Sequence, residues 1–189
     1  FGSNVLISRK CSLYSPEKIS IGDNVRIDDF CILSGDITIG NQVHIAAFCA
    51  LYGSLGIVME DYTGLSPRCI VFSASDDFSG EYLMSPMNDV TTTNVTGGKV
   101  IIKRCSQIGA CCIIFPSLTI GEGVAVGAMS LVNEDLEEWG IYTGIPARRI
   151  KERSKGLLKF VIEGEEKRRE EKRREEKRRE EKRREEREA

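Results

Sequence analysis

The 189-residue chain is 41% hydrophobic and sets 27 lysines and arginines against 29 aspartates and glutamates, a formal net charge of −2. That length accommodates one well-cored domain with an appendage, and the near-balanced charge argues against a nucleic-acid partner. No apolar run is long enough to span a membrane and no signal peptide is legible.

From the N-terminus, Ile7, Leu13 and Ile19 open a six-residue beat, which slips by two between Ile19 and Ile21 beside Ser15-Pro16. Proline lacks an amide donor and belongs at a corner or an end of a ladder. The beat resumes through Ile21, Ile27, Leu33, Ile39, Ile45, Leu51 and Ile57, and again through Ile102, Ile108, Ile114, Ile120, Val126 and Val132. A period of six fits neither helix nor strand. A chain that turns the same corner every six residues, three corners to a coil, forms a parallel β-helix. Ile21-Gly22 returns as Ile39-Gly40, eighteen residues on, so eighteen residues are expected per coil. One coil cannot bury its own apolar face, so several must stack.

These runs resemble the hexapeptide-repeat acyltransferases over residues 1–155, which implies an all-β domain, a left-handed parallel β-helix. In that fold the residue two before each aliphatic corner also points inward. Here it is Val25, Cys31, Ile37, Val43 and Cys49, then Ser106, Cys112, Leu118, Val124 and Ser130, small enough for a narrow triangular core. The register makes Cys11, Cys31, Cys49, Cys69 and Cys112 inert core fillers, reduced as in a cytoplasmic protein. Cys105 and Cys111 fall off it and are expected to be partly exposed. His44, the only histidine, stands between inward Val43 and Ile45 and therefore points outward. It is either a solvated surface residue or a proton acceptor. One histidine argues against a metal, because the related γ-class carbonic anhydrases need three.

The beat breaks after Val71, leaving an insertion at about residues 72–99. A structureless stretch of that length is uncommon and tends to be functional. Its acids Asp76, Asp77 and Glu81 suit an amine substrate, with Asp76 equally able to act as a turn former. Beyond it, Gly109-Ala110 and Gly127-Ala128 stack in successive coils. Small side chains there let an extended pantetheine arm approach the backbone, unless they simply suit corners. Gly144-Ile145-Pro146-Ala147-Arg148 is similar to the signature of coenzyme-A-dependent members. The resemblance aims Arg148, Arg149, Lys151 and Arg153 at the coenzyme phosphates.

The tail 165–189 repeats Glu-Glu-Lys-Arg-Arg, with thirteen basic and eleven acidic residues. A period of five advances about 500° around a helix, so no stripe persists and a coiled-coil seam is excluded. Glu165 and Glu166 both reach Arg169, at i,i+4 and i,i+3. Residues 156–189 are expected to form a solvated, partly helical extension.

Longer runs narrow the resemblance, among them Ile21-Gly22-Asp23-Asn24-Val25-Arg26-Ile27-Asp28-Asp29-Phe30, His44-Ile45-Ala46-Ala47-Phe48 and Asp76-Asp77-Phe78-Ser79-Gly80. They are similar to N-acyltransferases of nucleotide-linked 4-amino-4,6-dideoxysugars of the anthrose-pathway type. That likeness implies an acyl-coenzyme A cosubstrate, acetyl by expectation, and a homotrimer with sites between neighbouring prisms. It sets Ser66 and Asp76 near the sugar, with Asp77 and Glu81 beside it, and faces His44 to the site. The implied reaction is direct attack of a sugar amine on the thioester. Two other readings stay open: O-acetyl transfer to a galactoside or polysaccharide hydroxyl with His44 as base, and a noncatalytic β-helix scaffold.

Overall fold

Two apolar residues in every six can all be buried only if the chain returns over itself in register, and it does. In the computed structural model, which describes residues 1–188, the unit Phe1–Arg153 is a left-handed parallel β-helix. A second unit begins at Ser154 and carries helix α1, Leu158–Glu188.

The prism has three faces. On the first, Val5–Ile7, Val25–Ile27, His44–Ile45, Gly64–Leu65, Gln107–Ile108, Ala125–Val126 and Gly140–Thr143 stack in parallel. Arg148–Glu152 returns antiparallel to close that end. The second face aligns Leu13, Leu33, Leu51, Val71, Ile114 and Val132. The third aligns Ile21, Ile39, Met59, Ile102 and Ile120. From Ile21 onward these inward columns are at most 6% exposed.

Eighteen residues per coil holds for only part of the prism. Ile27 pairs with Ile45 and Ile108 with Val126, eighteen apart, but Leu13 pairs with Leu33 and Leu51 with Val71, twenty apart. The two extra residues near Gly53 and Gly56 explain one misreading. Ile57 keeps the six-residue beat yet pairs with Ile37 at the second inward site, and the true corner is Met59, paired with Ile39.

Two of the corners are left-handed turns. Asn4, Asn24, Gln42, Tyr62, Cys105 and Trp139 hold φ of 52–63° between the third and first faces. Phe30, Phe48, Arg68, Cys111 and Met129 hold 57–63° between the first and second. A left-handed conformation costs roughly 1–2 kcal/mol per non-glycine residue. Rung-to-rung bonds offset it, such as Gln42 N to Asp23 O at 2.9 Å and Phe48 N to Asp29 O at 3.0 Å.

The interior cysteines do more than fill space. Cys31 Sγ donates to Ala46 O (3.1 Å), Cys49 to Ser66 O (3.2 Å), Cys69 to Gly109 O (3.0 Å) and Cys112 to Gly127 O (3.1 Å). Each thiol thus donates to an inward corner carbonyl, which a buried acceptor needs, and Gly127 O accepts from Ser130 Oγ at 2.7 Å as well. The neighbouring thiols and burial push Cys31 and Cys69 up, so both stay protonated. Cys111 is exposed as expected, but Cys105 is only 4% exposed. The Arg153 guanidinium donates to the Cys105 and Gly123 carbonyls at 2.8 and 2.9 Å and covers that corner.

The insertion is not structureless. Ala74–Ser75 pairs antiparallel with Thr96–Gly97 to close its base, and Asp89 caps a 3-10 turn at Val90–Thr92. A side chain at residue 97 would sit 2.2 Å from the Ser73 carbonyl, which explains Gly97 there. In the second unit, Arg174–Glu170 and Arg179–Glu175 pair at i,i+4 along α1.

Candidate active site

The edge between the first and second faces collects most of the residues singled out in the sequence. His44 points outward there with its side chain 53% exposed. Its Nε2 lies 2.8 Å from Asp28 Oδ2, and Arg26 Nε donates to Asp28 Oδ1 at 2.6 Å. Burial pushes the Asp28 carboxyl up, but the bonds from His44 and Arg26 outweigh it and hold the group below the ordinary carboxylate range. Beside it, Asp29 is held low by Ser8 and by Lys10 at 3.0 Å. Asp28, Asp29, Ser8 and Arg26 border an open cavity of about 440 Å³.

In the coil above His44 stands Gly64, and above that Gln107. A β-carbon at 64 would meet Gln107 Oε1 at 2.5 Å. The glycine therefore leaves room for the Gln107 amide to fold down and donate to Ser66 Oγ at 3.3 Å. The Ser66 amide is fixed to Ile108 O at 2.9 Å.

The same edge continues through Gly109-Ala110 and Gly127-Ala128. Gly109 N bonds Val126 O and Met129 N bonds Ala110 O, both at 2.8 Å, so the two pairs stack as expected. A β-carbon at 109 would lie 2.5 Å from Ala128 N, so coil stacking alone already demands glycine there. Ala128 is exposed and Ala110 half-buried.

The basic run is largely occupied. Arg148 pairs with Glu134, and Arg149 with Glu137, Glu152 and the Tyr142 hydroxyl. Arg153 is spent on backbone carbonyls, against the expectation that it meets phosphate. Lys151 is exposed, in register with Ile141 beside the first face.

The loop acids stand apart from this edge. Asp76 accepts the Ser85 amide at 3.4 Å. Asp77 is engaged at both oxygens, by Ser79 and by Asn94, which makes it a loop former as built. Glu81 is exposed. Among the described residues, no hydrogen bond or ion pair joins these acids to His44, Asp28 or Ser66 within one chain. Sequence reasoning missed the roles of Asp28 and Gln107. Coil spacing carries the signal for both, since each lies on the outward side of a rung next to a residue already singled out.

A model of the family described as bacterial transferase hexapeptide (six repeats) matches residues 18–53. The dTDP-4-amino-4,6-dideoxy-D-glucose acyltransferase of Escherichia coli is 42% identical over 161 residues, 84% of this chain and 84% of that protein. AntD, an N-acyltransferase from Bacillus cereus solved with dTDP and 3-hydroxybutyryl-CoA, shares 55% identity and a TM-score of 0.86 over 88% of this chain and 89% of its own. Variants of AntD have been solved at a serine and at an aspartate ten positions apart, the spacing of Ser66 and Asp76 here. The perosamine N-acetyltransferase of Caulobacter crescentus, at 17% identity and a TM-score of 0.61 over 80% of this chain and 59% of its own, is alike in fold.

Proposed function

The chain belongs to the hexapeptide-repeat acyltransferases, alongside those that act on dTDP-linked 4-amino-4,6-dideoxysugars, and from that premise we propose that it acylates the amine of such a sugar at the His44–Ser66–Gly109 edge. It is an acyl-CoA-dependent enzyme. The observation that carries the reading is the continuity of one edge, on which a proton-accepting imidazole and a hydroxyl lead into two stacked glycine-alanine corners.

The neutral amine attacks the thioester carbonyl, forming the C–N bond and a tetrahedral oxyanion, which collapses as the C–S bond breaks and coenzyme A leaves as thiolate. The proton lost by the amine passes to His44 or Asp76 and ends on the thiolate. Amides near Gly109 and the Ser66 hydroxyl are the donors offered to the oxyanion. Gly109, Ala110, Gly127 and Ala128 take the pantetheine arm, and Lys151 is the basic residue best placed for a phosphate, since Arg148 and Arg149 would first have to leave their carboxylates. Asp76, with Asp77 and Glu81 behind it, meets the sugar.

A homotrimer is the working assembly in this reading. Asp76 and His44 do not meet within one chain, and the second face leaves Tyr52, Ile70, Ile113 and Phe115 37–45% exposed in one apolar stripe, the kind of patch that marks a protein interface. Among the described residues no helix is long and apolar enough to cross a membrane, and free cysteines favour the cytoplasm as its place of work.

The test is incubation with dTDP-4-amino-4,6-dideoxyglucose and either acetyl- or 3-hydroxybutyryl-CoA, following thiol release. Thiol release with neither sinks the reading. The His44–Asp28 bond favours one competitor, O-acyl transfer, because a hydroxyl needs a base more than an amine does. His44→Ala decides between them: a modest loss is expected for amine acylation, whereas a hydroxyl acylase would lose orders of magnitude. Calorimetry that detects no coenzyme A binding would leave only a scaffold.

A further inference from the structure

We propose that Asp28 is a positioning residue that holds His44 in the tautomer protonated at Nε2, leaving Nδ1 as the nitrogen that takes the substrate proton. The inference rests on the acyl-transfer reading above and deepens it.

An ionised carboxylate only accepts hydrogen bonds. With Asp28 Oδ2 2.8 Å from His44 Nε2, the ring hydrogen must sit on Nε2, and the bond made by one nitrogen fixes what the other can do. Arg26 holds the second carboxylate oxygen at 2.6 Å, which keeps Asp28 ionised and stops it rotating away. The fold supplies the alignment: Arg26 lies in register directly below His44, and the Asp28 amide is pinned to Ile45 O at 2.9 Å. Above the imidazole, Gly64 presents no side chain and the Gln107 amide folds into the space it leaves, so the ring is gripped from below while half its side chain stays exposed. Asp28 is the charged group bonded to the ring and Arg26 stands in register below it, while Asp29 is turned to Ser8 and Lys10.

The chain holds a single histidine, so ¹⁵N-histidine NMR of the full protein reads this tautomer without assignment. In the wild type, at a pH where the ring is neutral, the Nε2–H pattern is expected. In Asp28→Asn the side-chain amide can donate to Nε2, and the pattern should move toward Nδ1–H. With the nucleotide-linked amino sugar, kcat should fall severalfold, by no more than the modest loss expected of His44→Ala. KM for acyl-CoA should stay unchanged, and the alkaline-rising limb of kcat/KM should move. His44→Ala combined with Asp28→Asn should be no worse than His44→Ala alone, which separates positioning from a folding defect. An unchanged tautomer in Asp28→Asn overturns the proposal, as does a further loss in the double variant. If the wild type acylates no amino sugar, the functional reading fails while the tautomer measurement still stands or falls by itself.

Discussion

At the scale of single residues, Asp28 ties stability to pH in a definite direction. Its folded pKa lies below the ordinary carboxylate value, so its bonds to His44 and Arg26 contribute fully above about pH 3.9. The contribution is lost as pH falls through the lower folded value. The gap in Tm between wild type and Asp28→Asn should therefore be largest near neutrality and close progressively below the usual carboxylate range. A gap that stays constant from pH 7 to pH 3 would mean that the carboxylate is not the stabilising group. The outward position of His44 could be read from the sequence because its neighbours Val43 and Ile45 declare the register. Its partner demands the coil length as well, because Asp28 lies sixteen residues earlier and meets it only when the coil spacing is exact. The same holds for Gln107 and Ser66, forty-one residues apart and joined at 3.3 Å across the excised space of the insertion.

At the scale of elements, the cysteine ladder gives the narrow core a polar duty that apolar residues of the same size cannot perform. Cys69 donates to the Gly109 carbonyl, directly under the proposed coenzyme edge. Cys69→Val should cost about 1–3 kcal/mol, the penalty for a buried acceptor left unsatisfied, whereas Cys69→Ser keeps a donor and should cost less. Urea melts of the two variants check this, and equal losses would show that volume alone matters. The beat revealed three faces and a broken coil because aliphatic side chains at fixed spacing have only one common solution. It misplaced the corner at Ile57 because two inserted residues moved the corner to Met59 and dropped another isoleucine onto the neighbouring inward site. The hairpin inside the insertion was illegible for a different reason: Ala74–Ser75 and Thr96–Gly97 carry no alternating apolar pattern and pair through backbone alone.

At the scale of the molecule, the proposed function gives one prism an edge for the coenzyme and a loop for the sugar, but among the described residues the loop acids make no hydrogen bond or ion pair with that edge in their own chain. If the loop serves a neighbour's edge, two different lesions should complement each other. Ala128→Trp fills an exposed position on the coenzyme edge without entering the core. Replacing residues 76–94 by two glycines removes the loop acids while keeping the strands that close its base. Each variant alone should be inactive yet sediment as a trimer. Refolded together from denaturant in equal amounts, they should form mixed trimers in which about one site in four joins an intact edge to an intact loop from the adjacent chain. Recovery of roughly that fraction of wild-type activity would show that the site is shared. No recovery, with mixed trimers demonstrated by tagging, would mean that each loop folds back over its own prism, and the assembly would then serve stability alone.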